Sequence, residues 1–70
     1  MRLTISPVNV QPGDRCEHPK TCKTVVIVSR RYLSVIGTHI FECKDLNGSP
    51  APSFSALRGT TMRIERSFDQ

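Results

Sequence analysis

Apolar residues in this chain fall in short runs of two-residue period, broken by glycine and proline, and that pattern predicts strands joined by turns. Leu3-Thr4-Ile5 reads as a short first strand ended at Pro7, with Val8-Asn9-Val10 continuing it past a kink. Pro12-Gly13-Asp14 is a turn: proline presets φ, glycine supplies a positive φ, and Asp14 bonds its own backbone. Residues 15–21 are polar, contain Pro19, and read as a loop. Residues 24–28 make the clearest strand, with Val25 and Ile27 on one face and Val26 and Val28 on the other. An apolar run on both faces implies a central strand, or one whose second face a loop or partner covers.

Ser29-Arg30-Arg31-Tyr32 leads out of that strand, residues 33–36 are apolar again, and Gly37 ends the run. A helix over 23–36 competes, but its β-branched content favours extended chain. Residues 38–46 form the next strand. Asn47-Gly48 then predicts a type I′ hairpin turn, with positive φ at both positions. Pro50-Ala51-Pro52 excludes a central strand, and residues 53–58 read as a connector anchored by Phe54 and Leu57, in one turn of helix stopped by Gly59. The closing strand spans 60–66, with Met62, Ile64 and Phe68 alternating against Arg63, Glu65 and Ser67. The core expected from these elements is residues 25–28 with Leu33, Val35, Ile36, Ile40, Phe41, Leu46, Phe54, Leu57, Met62 and Ile64.

This series resembles the small SH3-like barrels, the class that includes KOW, Tudor and bacterial SH3-like modules. The resemblance rests on Val10-Gln11-Pro12-Gly13-Asp14, similar to the hydrophobic-x-Pro-Gly-Asp entry of such domains. It rests also on residues 41–48, similar to their third strand and turn, and on Phe54-Ser55-Ala56-Leu57 before the closing strand. It implies an all-β fold, a five-stranded SH3-like barrel with one short helical turn before the last strand. Ser29-Arg30-Arg31 stands where KOW motifs carry glycine, and only Tyr32 and Phe41 lie where Tudor domains build an aromatic cage. The resemblance therefore implies a fold and a general binding role, without a specific ligand. The compact size also resembles accessory proteins of bacteriophages and mobile elements.

Seventy residues make a single domain, 1–70, close to the lower limit for unassisted folding, and an apolar share of 37% leaves just enough for one small core. A net charge of +4 favours polyanionic partners. Met1-Arg2-Leu3-Thr4-Ile5 has no apolar leader segment, and no run reaches membrane-spanning length. The three cysteines are an odd number. A reduced, cytoplasmic chain with no membrane partner, monomeric or homodimeric, is the expectation.

Two clusters carry candidate chemistry. Cys16, His18 and Cys22 share one loop and, with Cys43, make a possible zinc set, but Cys-x₅-Cys does not match paired knuckles. The expectation is no metal and no cofactor, with loop thiols at Cys16 and Cys22 and Cys43 a small core residue. A nucleophilic pair of Cys22 or Cys43 with His18 or His39 lacks an orienting third group, so no enzymatic activity is expected. Arg30, Arg31 and Tyr32 combine phosphate-pairing forks with a stacking ring, and Lys20, Lys23 and Arg58 extend that patch if the loops converge. Arg63 and Arg66 are expected to pair across strands with Glu42 or Asp45. The function expected is a non-enzymatic binding module for nucleic acid, RNA included; the alternative is an adaptor or inhibitor docking on a larger host protein through a sheet face or edge.

Overall fold

The structure, a computed structural model, describes residues 1–67. Six antiparallel strands form one sheet: β1 (Arg2–Ile5), β2 (Arg15–Glu17), β3 (Thr24–Leu33), β4 (Thr38–Asp45), β5 (Pro50–Leu57) and β6 (Met62–Glu65). Their spatial order is β1-β6-β2-β3-β4-β5. The all-β expectation therefore stands, while the five-stranded closed barrel gives way to a six-stranded sheet whose ends, β1 and β5, do not pair. Among the described residues no helix is long and apolar enough to cross a membrane.

Several boundaries differ from the sequence reading for local reasons. Pro7–Asn9 forms a 3-10 turn in place of a continued first strand, closed by Val10 N–H on the Pro7 carbonyl at 3.2 Å. Arg15–Glu17, read as loop, is β2, because it finds partners in both β3 and β6. Residues 53–58, read as a helical turn, lie mostly in β5, where Phe54 pairs with Phe41. Both prolines of β5 sit on an edge strand, which tolerates their missing N–H. The Asn47-Gly48 hairpin forms, but only Gly48 has positive φ, at 91°. The Asp45 carboxylate replaces the type I′ geometry by accepting from the N–H groups of Asn47 and Ser49, both at 2.9 Å. Phe68 lies outside the described residues.

One face of the curled sheet carries the core: Val10, Cys16, Val25, Ile27, Phe41, Cys43, Phe54 and Ile64, flanked by Leu3, Ile5, Ala51, Ala56 and Met62. Phe41 and Phe54 stack at 5.2 Å across β4 and β5. Cys16 is a core residue here, not a loop thiol, and Val10 joins from the turn before β2. Six expected core residues are exposed instead: Val28, Leu33, Val35, Ile36, Leu46 and Leu57. All but Val28 sit in turns or at strand ends, beyond the reach of the curled face. Val28 is exposed and Val26 half-buried, so β3 is covered on one face only.

His18 ties this sheet across its open side. It follows β2, three positions from β5 in the sheet, a span of about 14 Å if the sheet were flat. Curling brings the two together: His18 Nε2 donates to the Pro52 carbonyl at 2.8 Å, and its ring meets Phe54 edge-on at 5.1 Å. Its Nδ1 accepts from the N–H groups of Lys20 and Thr21, at 3.0 and 3.3 Å. The buried ring thus organises its own loop and bridges two distant strands. A side chain, not a strand ladder, spans that gap.

Candidate nucleic-acid interface

The β3–β4 hairpin positions the candidate residues, and a β-bulge decides which way they face. Ile27 pairs with Cys43 but Ser29 pairs with Glu42, leaving Val28 as an extra residue. Strict alternation from the buried Ile27 would turn Ser29 and Arg31 toward the core. The bulge shifts that set by one, so Arg30 and Tyr32 lie opposite Phe41 and His39 on the concave face, and Arg31 falls on the convex one. One inserted residue therefore splits the two arginines between faces.

On the concave side Arg30 Nη1 donates to His39 Nδ1 at 3.1 Å. Accepting at Nδ1 leaves the neutral His39 ring its proton on Nε2. Burial, and then the Arg30 charge, hold the His39 pKa below the usual imidazole range. Tyr32 packs against the same ring at 4.7 Å, tilted 41°, and keeps 39% of its surface exposed. Arg30, Tyr32 and His39 thus form one connected unit at the end of the sheet.

Arg58 joins this end through the turn after β5. Its N–H donates to the Gly37 carbonyl at 2.9 Å, and its side chain lies over Gly37, where a Cβ would come within 3.2 Å of Arg58 Nε. Gly37 also has φ of 63°, so the backbone favours glycine there, and an added Cβ would press on the Arg58 side chain. Arg30, Arg31, Tyr32 and Arg58 are therefore gathered at the hairpin end. Lys20 and Lys23 are not: they precede β3, roughly 20 Å along the strand from Arg30.

Charge is sorted the same way. Residues 30–41 and 53–64 contain Arg30, Arg31, Arg58 and Arg63 and no carboxylate. The acidic groups elsewhere are partly spoken for. Asp14, not Glu42 or Asp45, takes Arg66, through Nε at 2.8 Å and Nη2 at 2.7 Å, while Arg15 approaches Glu65 at 3.9 Å. Burial alone would raise the Asp14 pKa, but the Arg66 hydrogen bonds, the Gln11 N–H and the Arg66 charge outweigh it and hold the carboxyl below its usual range. A groove of roughly 670 Å³ runs beside Arg30, lined also by Asn9, Gln11, Ser29 and Arg66.

The cysteine–histidine cluster is taken up by structure. Burial, and then Cys43 and Asp14, push the Cys16 pKa up to about 11, and burial raises that of Cys43. Both stay thiols at neutral pH, a poor state for a nucleophile. His18 has both ring nitrogens engaged with backbone groups, Cys43 Sγ donates to the Pro52 carbonyl, and Cys22 is exposed. Among the described residues no three metal-ligating side chains gather at one point.

Sequence reasoning missed the apolar hairpin tip, placing Val35 and Ile36 in the core. They occupy the turn between β3 and β4 and are 96% and 61% exposed. The available signal was Gly37, a turn residue directly after an apolar pair. Comparison with known proteins adds nothing here: no family model, no curated protein and no solved structure matches this chain.

Proposed function

We propose that this chain is a non-enzymatic module that binds nucleic acid through the hairpin end of its sheet. The observation behind this reading is that Arg30 and the half-exposed Tyr32 on one face, Arg31 on the other and Arg58 beside Gly37 all lie toward the hairpin end, in segments that hold no carboxylate. Guanidinium forks suit phosphate, and an aromatic ring offers a stacking surface for an unpaired base. The SH3-like resemblance supports a binding role in general terms.

A titration of labelled oligonucleotide between about 50 and about 200 mM salt tests it. Affinity is expected to fall steeply with salt, and Arg31→Ala with Arg58→Ala to flatten the logarithmic slope by about 1.5. Lys20→Ala with Lys23→Ala, at the opposite end of β3, is expected to leave most of that slope. No binding at the lower salt, or an equal effect of both pairs, overturns the assignment.

A second reading has one observation in its favour, the exposure of Val28 (48%) beside the half-buried Val26 on the outer face of β3. Docking of a larger protein there expects a partner that survives nuclease treatment and is lost in Val28→Asp.

A further inference from the structure

The tip of the β3–β4 hairpin carries a second feature that phosphate contacts leave unused. The last strand pairs are Leu33 with Thr38 and Thr38 with Leu57, so residues 34–37 extend beyond the sheet. On the other edge of β3 the β2 ladder stops at Val26, and the distal half of the hairpin has only β5 beside it. Val35 and Ile36 crown this projection, and Leu33 and Leu57, 38% and 59% exposed, continue the apolar surface below them. Turns ordinarily take glycine, asparagine or aspartate, and grouped exposed apolar side chains mark a contact surface. A shallow groove of roughly 370 Å³ between Ile36, Leu57 and Arg58 completes the tip.

Resting on the nucleic-acid reading above, we propose that this tip is an apolar wedge that enters duplex DNA from the minor groove. Val35 and Ile36 lean against a base step, while Arg31 and Arg58 hold the flanking phosphates. Charge complementarity selects the occupant: the segments that carry the apolar crown and Arg58, residues 30–41 and 53–64, hold arginines and no carboxylate. The cations of this end are all arginine, whose planar fork matches phosphate oxygens, whereas the lysines lie elsewhere. Apolar side chains of this size unstack a step and kink the duplex, at least cost where pyrimidine–purine steps are flexible.

The experiment is a duplex labelled at both ends with a fluorescent donor and acceptor, read for end-to-end distance and affinity together. The full chain is expected to shorten the distance, most for a duplex with a central TA step. Val35→Ser with Ile36→Ser alters only exposed positions; it is expected to keep the native spectrum and the salt slope, lose the shortening, and weaken binding about tenfold. Unbent duplex bound by the native chain, bending retained in the double variant, or preference for an unstructured single strand each overturns the wedge while leaving nucleic-acid binding intact. Binding to phosphatidylserine vesicles that depends on the same two residues, without bending of DNA, assigns the tip to membranes and overturns it as well. Absence of binding to any oligonucleotide instead removes the underlying reading.

Discussion

At the scale of single residues, the clearest dependence of fold on chemistry is His18. It is wholly buried, its Nδ1 serves two backbone donors in its own loop, and its Nε2 reaches the Pro52 carbonyl on β5. His18→Ala removes the acceptor of the Lys20 and Thr21 N–H groups, leaves the Pro52 carbonyl with Cys43 Sγ alone, and opens a hole beside Phe54, at a cost of about 3 kcal/mol, most of what so small a core supplies. Asparagine can imitate Nδ1 and glutamine Nε2. Chemical denaturation is expected to rank His18→Ala below both, with each amide restoring part of the loss. Equal stability of the alanine variant and the native chain contradicts this account of the seam.

Asp14 and His39 set the acid side of the stability curve. Each has a pKa held below its ordinary value, so each contributes stability that is complete above its unfolded pKa and drains away as pH falls through the folded one. The His39 contribution begins to drop near pH 6.5, and that of Asp14 below about pH 4. Asp14→Asn is expected to cost about 2 kcal/mol at pH 7, a difference that narrows as pH falls below about 4 and the native carboxyl takes up its proton. Thermal melts of both proteins along a falling pH series check it; a difference that does not narrow contradicts it.

At the scale of elements, what the sequence showed and what it hid follow from one distinction. Patterns within four or five residues were legible: the Thr38–Asp45 strand, the Pro-Gly-Asp turn, the Asn-Gly hairpin, and the exclusion of Pro50 and Pro52 from a central strand. Features that depend on a partner strand were not. Arg15–Glu17 has no strand pattern of its own and becomes β2 only between β3 and β6. The bulge at Val28 is a matter of register with β4, and it alone determines that Arg30 and Tyr32 share a face with His39. Segment 53–58 reads in sequence as a short connector with two apolar anchors, one turn of helix before Gly59. In the sheet Phe54 is buried against Phe41, while Leu57 is left exposed. The candidate patch was half legible for the same reason. Arg30, Arg31 and Tyr32 are adjacent in sequence, Arg58 reaches them through Gly37, and only the sheet's geometry sends Lys20 and Lys23 to the other end.

At the scale of the whole molecule, the sheet divides its labour between its two ends. The end near β2 and the His18 loop holds the seam together, whereas the hairpin end carries arginines, an aromatic ring and an apolar crown. Backbone amide shifts of the isotope-labelled chain, followed by NMR during titration with a short oligonucleotide, distinguish these ends most directly. The account predicts that the largest changes fall on residues 30–37 and on 56–59, with residues 17–23 nearly unmoved. Changes concentrated on the His18 loop or on β1 and β6, or none at all, contradict it.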